Sequence, residues 1–143
     1  MPDNVRTLHN AVEAFNRGAW EDARLLFDTS GRWPPAEPGS EESSYLDYES
    51  MRNYLQSWTD NFDNFQLKIV ELVGAGQRAF VVVQVSGQGR QSGEVSTSPL
   101  HSLVVRFVDG RILGLTLFIS RAAALREAGL TEQDALSGSH PLP

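Results

Sequence analysis

A change in hydrophobic period near residue 62 constrains the fold more than any other feature of the sequence. Before this point apolar residues recur at helical spacing, which predicts helices over residues 4–17, 20–27 and 48–62. After it, β-branched and apolar residues dominate short segments that are separated by glycine-rich turns, a pattern typical of strands. Helices that precede an uninterrupted series of strands favour an α+β fold over a parallel α/β fold.

Four main strands are predicted in the second half of the chain. They cover residues 65–73, 78–86, 94–108 and 111–119. Within the third strand, Pro99 indicates a bulge or a new strand start, because proline cannot donate to a sheet ladder. The dipeptide Asp109-Gly110 is a strong signal for a two-residue hairpin before the fourth strand.

The remaining segments are assigned from their helix-breaking and capping residues. Several prolines and glycines in residues 28–46 predict a loop with at most one short strand. Ser120 is well placed to cap a helix over 121–128, and Gly129 ends it. We therefore predict one domain over residues 1–130, followed by a loose tail over 131–143.

Charge and composition exclude several classes of protein. The 143 residues carry a net charge of −6, and the 12 lysines and arginines are scattered, which argues against nucleic-acid binding. No apolar stretch is long enough to span a bilayer, and the first residues do not resemble a signal peptide. Because the chain also has no cysteine, we expect a cytoplasmic protein without disulfides or thiolate metal sites.

Five groups of short motifs follow one another over residues 4–129. They are Asn16–Glu21 with Leu26–Asp28, Arg32–Pro35 with Ser44-Tyr45, Gly89–Gly93, Val108–Ile112, and Ser120–Leu125. In this order and spacing they resemble the SnoaL-like branch of the nuclear transport factor two-like superfamily, which shares its fold with polyketide cyclases and ketosteroid isomerase. The resemblance implies a cone-shaped α+β fold. Its curved antiparallel sheet would have about four main strands and one or two short ones, packed on three N-terminal helices, with a short C-terminal helix.

The resemblance also implies where the catalytic groups of a ketosteroid isomerase would fall. That chemistry needs a carboxylate base, together with a tyrosine and a protonated acid as an oxyanion hole. The tyrosine would fall near Ala11, and the oxyanion acid would fall near Leu103. The base would fall near Pro35 or Ala36, where only the adjacent Glu37 could replace it. The sequence therefore argues against isomerase chemistry of this kind.

A cyclase of the SnoaL type is implied to use an acid or base on the sheet, facing the cavity. The last predicted strand holds neither, since Gly114–Ile119 contains no titratable side chain. Many SnoaL-like relatives carry an aspartate where this chain has Ser120. Serine caps a helix about as well as aspartate does, so capping is the favoured interpretation of this position.

His101 is the first catalytic candidate and Glu37 the second. On the third predicted strand, His101 shares a face with Leu103, Val105 and Phe107. It is interpreted either as a core or pocket residue, or as a general base with a pKa near neutrality. The three histidines are too dispersed to form a metal site, and no cofactor motif is present, so neither a metal nor a cofactor is predicted.

Aromatic residues predict a pocket for a small hydrophobic molecule, because they come from elements that would converge on the cavity of this fold. The predicted pocket residues are Trp33, Tyr45, Tyr54, Trp58, His101 and Phe118. Ordinary core packing is the alternative for each of them.

Three functions stay open at this point. The chain could be an enzyme that acts on a hydrophobic small molecule by proton transfer or cyclisation. It could instead be a non-catalytic ligand-binding module, or a dimerisation domain whose cavity is filled by its own side chains. Relatives often dimerise through the open sheet face, and the unalternated apolar runs Phe80–Val83 and Leu103–Val105 are compatible with a homodimer of this kind.

Overall fold

The computed structural model describes residues 4–28, 43–46, 48–118 and 120–134, and residues 43–46 are described by their backbone alone. The helices are α1 (Asn4–Asn16), α2 (Trp20–Leu25), α3 (Tyr48–Asn61) and α4 (Arg121–Ala128). The strands are β1 (Ser43–Leu46), β2 (Phe62–Ala75), β3 (Arg78–Gly89), β4 (Val95–Thr97), β5 (His101–Val108) and β6 (Arg111–Phe118).

The strands form one curved, unclosed antiparallel sheet in the order β1-β6-β5-β3-β2, and β4 pairs with β3 beside this path. Tight turns join β2 to β3 and β5 to β6, whereas the connection from β3 to β5 contains β4. At the β5–β6 turn, Asp109 and Gly110 both have positive φ, of 50° and 77°, as the predicted two-residue hairpin requires. The α+β prediction, with four main strands and two short ones, is confirmed.

The predicted third strand is divided into β4 and β5 at Ser98-Pro99. Ser98 donates its backbone N–H to the carbonyl of Val85 at 2.8 Å, and its hydroxyl accepts the N–H of Val85 at 3.0 Å. A side chain thus satisfies a β3 donor that an unbroken strand would have paired with its backbone. The strand restarts at His101, opposite Val83 on β3.

Element boundaries differ from the predicted ones by a few residues. Phe62, predicted at the end of a helix, instead begins β2 and pairs with Gly89, because β3 extends far enough to offer it a partner. The predicted loop over 28–46 contains β1, which pairs with β6. Residues 131–134, predicted within a loose tail, include a turn in which Thr131 and Asp134 cap each other.

Helices α1, α2 and α3 cover one face of the sheet, the inner face. The core cluster on this side takes Leu8, Ala11 and Phe15 from α1 and Met51 and Leu55 from α3. It packs them against alternate residues of the strands, including those at 81, 83 and 85 of β3 and 103 and 105 of β5. This alternation follows from the two-residue period of a strand.

Helix α4 covers part of the opposite, outer face. Ala124 and Leu125 pack there against Phe80 and Val104. Arg121 pairs with Glu71 of β2, and its guanidinium carbon lies 5.1 Å from the centre of the Phe80 ring. Helices therefore cover both faces of the sheet at Phe80–Val83, where apolar residues do not alternate with polar ones. A second copy of the chain is no longer required to explain this pattern.

The edge strand β2 receives a side-chain partner from α1. Asn16 donates its Nδ2–H to the carbonyl of Leu67 at 2.9 Å, and its Oδ1 accepts the N–H of the same residue at 2.6 Å. The primary amide of Asn16 thus presents the donor and acceptor that a neighbouring strand would present. This pair fixes the end of α1 against the sheet.

Candidate functional site

A cavity of about 140 Å³ lies between α3 and the inner face of the sheet. Its wall on α3 consists of Met51, Tyr54 and Leu55, which share one helical face because they are three and four residues apart. The sheet contributes Leu67, Val83, Val85, His101, Leu103 and Leu117. Apart from His101 and the Tyr54 hydroxyl, the side chains that line the cavity are apolar.

His101 is the titratable group of this cavity. It is half-buried at the start of β5, and burial lowers the pKa of its imidazole below the usual value of 6.5. Among the described residues, none forms a hydrogen bond or ion pair with its side chain. At neutral pH the ring is therefore uncharged, with one nitrogen free to accept a hydrogen bond and the other free to donate one.

Tyr54 lies beside His101 at the rim of the cavity. The two rings meet edge to face, with centroids 6.2 Å apart and planes 89° apart. Tyr54 is 40% exposed, so one side of the cavity is open to solvent. The His101 ring is thus next to the exposed Tyr54 in the wall of the cavity.

The inner face is tightly filled at the α1 end. There Phe15 packs against Trp20, Phe27 and Tyr48, with ring centroids 5.8 to 6.5 Å away. The Tyr48 hydroxyl donates to the carbonyl of Trp20 at 2.8 Å, and burial raises the pKa of Tyr48, which keeps this donor protonated. The space left beneath α1 is about 30 Å³, close to the volume of one water molecule.

Trp58 and Phe62 pack together just beyond the cavity, with ring centroids 4.8 Å apart. They lie over Gly87 of β3. A Cβ added to Gly87 would come within 2.6 Å of the Phe62 Cβ, closer than real Cβ atoms approach, so a glycine is needed at this crossing. Trp58 is partly buried against the core cluster and is not among the residues that line the cavity.

The predicted pocket residues are only partly brought together. Tyr54 and His101 line the cavity, and Trp58 packs next to it. Phe118 packs instead on the outer face against the cluster that contains Phe80 and Val104. Neighbouring residues of a strand point to opposite faces, so Leu117 occupies the inward position that was assigned to Phe118.

The structure does not describe the side chains of three predicted site residues. Trp33 and Glu37 lie outside the described residues, and Tyr45 is described only as a backbone position in β1. The interpretation of Ser120 as a helix cap agrees with the structure, since its hydroxyl accepts the N–H of Ala123 at 3.1 Å. A catalytic role for Ser120 has no support from this geometry.

The aliphatic residues that line the cavity were not predicted as pocket residues, although the sequence indicated the faces on which they lie. Met51 and Leu55 belong to the predicted apolar face of α3, and Leu103 belongs to the predicted face of His101. Periodicity identifies the face on which such residues lie. It does not show whether they touch the opposite layer or leave a gap.

A second, more open depression of about 660 Å³ lies at the other end of the sheet, between the first turn of α1 and two strand turns. Gly76, Arg78 and Asp109 are among the residues that line it. Turn residues form part of its wall, and the carbonyl of Gly76 is already bonded to Asn4 at 3.1 Å. We assign the candidate site to the smaller cavity, because its wall is apolar, as the walls of small-molecule sites predominantly are.

No group of three or more histidine, cysteine, aspartate or glutamate side chains could hold a metal ion among the described residues. No helix within them is long and apolar enough to cross a membrane.

A family model for the SnoaL-like domain matches residues 8–114. The chain belongs to the SnoaL-like domain family. This places it within the nuclear transport factor two-like superfamily, as the sequence motifs indicated. The matched region starts within α1, contains α2, α3 and the strands up to β5, and ends within β6 before Leu117.

Solved structures of several SnoaL-like and related proteins share the fold. IdmH from Streptomyces antibioticus, a proposed polyketide cyclase, is 20% identical with a TM-score of 0.62, over 88% of this chain and 97% of its own. A nuclear transport factor two-like protein from Burkholderia thailandensis is 18% identical with a TM-score of 0.58, over 92% and 100%.

A Catenulispora acidiphila protein with a ketosteroid isomerase-like fold, solved with trimethylamine, is 13% identical with a TM-score of 0.56, over 89% and 95%. At these identities the likeness concerns the fold alone. No functionally curated protein is significantly similar to the chain.

Proposed function

We propose that this SnoaL-like domain binds a small hydrophobic molecule in the cavity beneath α3 and that His101 transfers a proton to or from it. The observation that carries the proposal is an uncharged imidazole, without a hydrogen-bond partner among the described residues, at the mouth of an otherwise apolar cavity. The ring nitrogens of the half-buried His101 are therefore available to pair with a bound molecule or with water.

The chemistry of the lining supports a proton transfer at His101. An imidazole that is neutral near pH 7 can act as a general base, and it can return the proton as the conjugate acid. The apolar walls exclude water from the bound molecule, which strengthens its electrostatic interactions with the imidazole. The Tyr54 ring lies beside that of His101, and its hydroxyl is a second hydrogen-bond donor.

Binding is tested first, by nuclear magnetic resonance with phenol as a probe. We expect phenol to shift the His101 ring resonances and the methyl resonances of Leu103 and Leu117. The methyls of Leu8, beneath α1, serve as the internal control and should not move. Shifts that are equal at Leu8 and Leu103, or absent from both, would contradict a binding site at this cavity.

Proton transfer is tested by deuterium exchange. Cyclohexanone in D₂O exchanges its α-hydrogens slowly, and a general base beside the bound ketone should accelerate this exchange. We expect His101→Gln, which keeps hydrogen-bonding capacity but lacks a basic nitrogen, to lose most of the acceleration, on the order of 10²-fold or more. Equal rates for the two proteins would remove His101 as the base.

A non-catalytic binding module is the second candidate function. It is favoured by the absence, among the described residues that line the cavity, of a carboxylate that could orient His101 or stabilise its charged form. Phenol binding without any acceleration of cyclohexanone exchange would favour this function.

Two further expectations from the sequence remain proposals. A homodimer through the sheet face would have to use the part of the outer face that α4 leaves open, and light scattering at high protein concentration measures its mass. A cytoplasmic location is proposed from the absence of cysteine in the sequence, and fractionation of the source cells tests it.

A further inference from the structure

The cavity beneath α3 and the small space beneath α1 are neighbours that share part of their walls. Met51, Leu67, Val83 and Leu103 line both of them. The cavity has a volume of about 140 Å³, and the space beyond the shared side chains has about 30 Å³. We call these four shared side chains the partition.

We propose that the partition limits the ligand to a single ring, and that Met51 sets this limit. The inference rests on the proposed binding function. An apolar cavity of about 150 Å³ accommodates a molecule the size of benzene, which is close to the volume of this cavity. With the polar substituent held at the open side, a second fused ring would have to extend inward into the space beneath α1, which holds no more than about one water molecule.

Met51 is the member of the partition most able to decide the length of the ligand. It is 8% exposed and projects from the first turns of α3, whereas the other three members belong to strands that are held by ladder hydrogen bonds. Methionine is unbranched and fills irregular gaps, so its truncation opens space without disturbing a strand. Removing its side chain beyond Cβ joins the two volumes.

The polar rim adds a chemical requirement to the size limit. Tyr54 and His101 lie side by side in the wall, so a ring substituent that points toward them pairs with the imidazole of His101. An uncharged imidazole pairs with a hydroxyl as acceptor or with a carbonyl as donor. The ligand class is therefore a neutral molecule with one ring that carries a hydroxyl or carbonyl group.

The test compares phenol with 2-naphthol, which has the same hydroxyl on two fused rings. We expect the folded wild-type protein to bind phenol at least about tenfold more tightly than 2-naphthol, since a poorly fitting group in a rigid apolar pocket costs that much. In Met51→Ala the preference should fall by about tenfold or reverse. Val105→Ala enlarges only the space beneath α1 and leaves the partition intact, so it should keep the wild-type preference.

The outcomes separate this inference from the binding function. Equal affinity of the wild type for the two probes overturns the size limit and leaves the binding function standing. An unchanged preference in Met51→Ala shows that Met51 does not set the limit. Failure of phenol to bind the wild type overturns the binding function and the inference with it. Met51→Val, a milder truncation, replaces Met51→Ala if thermal unfolding shows that the alanine variant is not folded.

Discussion

The two ends of the inner face belong to one hydrophobic core and are filled differently. Beneath α1, Phe15 is 2% exposed and is surrounded by aromatic rings, and the remaining space is about 30 Å³. Beneath α3, aliphatic side chains face aliphatic side chains and leave about 140 Å³. Both ends lie on one sheet and belong to one core cluster.

The difference shows how one layer arrangement provides both stability and a site. Protein interiors are close-packed, and an unfilled apolar volume loses dispersion contacts along its walls. The α1 end compensates with large aromatic side chains and the buried hydrogen bond of Tyr48. We therefore expect substitutions at the α1 end to affect stability and substitutions at the α3 end to affect binding.

The largest effect is expected from Phe15→Ala. Removing a buried phenylalanine loses its transfer free energy and leaves a cavity, so the free energy of unfolding should fall by about 3–5 kcal/mol. Tyr54→Ala at the open rim should cost under about 1.5 kcal/mol, because much of that ring is already in water. Urea unfolding of both variants measures the contrast, and a larger loss for Tyr54→Ala would reverse the roles of the two ends.

The next effect concerns the bond between α1 and β2. In Asn16→Ala the N–H and carbonyl of Leu67 lose their partner in a partly buried setting, which should cost about 1–3 kcal/mol of unfolding free energy. Asn10→Ala, at an exposed position of the same helix, controls for the change in helix propensity. Similar values for the two variants would show that the Asn16 pair contributes nothing.

A matched pair of valines tests the difference in filling directly. Val105 is fully buried and lines the α1 space, so Val105→Leu should overpack it and cost about 1–3 kcal/mol. Val85 is also buried and lines the cavity but not the α1 space, so Val85→Leu should be neutral or stabilise the protein by about 0.5–1 kcal/mol as a cavity-filling change. Denaturant midpoints compare the two variants, and equal losses would mean that the cavity is not free volume in solution.

The smallest effect is a pH dependence from His101. Because its pKa is lowered in the folded protein, the unfolded chain binds more protons as the pH falls through 6.5, its ordinary value. Stability should therefore decrease from pH 7 toward pH 5, and His101→Gln should reduce this slope. His9→Gln on α1 is the control for histidine removal. An unchanged slope in His101→Gln would place the imidazole in a water-like environment.

The sequence predicted the layers of this fold well, because hydrophobic period and turn residues report directly on backbone structure. The face shared by Met51 and Leu55 was visible, and so was the hairpin at Asp109-Gly110. Even the break at Pro99 was indicated, although the hydroxyl of Ser98 that makes it possible was not. These signals come from neighbouring residues in the sequence and do not depend on which element packs against them.

The candidate site was less predictable, because a cavity is defined by what distant side chains fail to fill. His101 and Tyr54 were selected for their chemistry, and they lie together at the rim. Phe118 was assigned to the cavity in place of its neighbour Leu117. Neighbouring strand residues point to opposite faces, so the sequence identifies the inward residue only when the register of the strand is known. The apolar outer face suggested a partner chain, whereas α4 of the same chain covers part of it.

The pairing of Asn16 with Leu67 also bears on how the molecule behaves in a crowded solution. An unpaired edge strand offers a template on which another molecule can add a strand, and such growth leads to fibres and aggregates. At Leu67 both the donor and the acceptor are already occupied by the amide of Asn16. A foreign strand must displace this side chain before it can extend the sheet there, so loss of one amide would expose the chain to self-association as well as to unfolding.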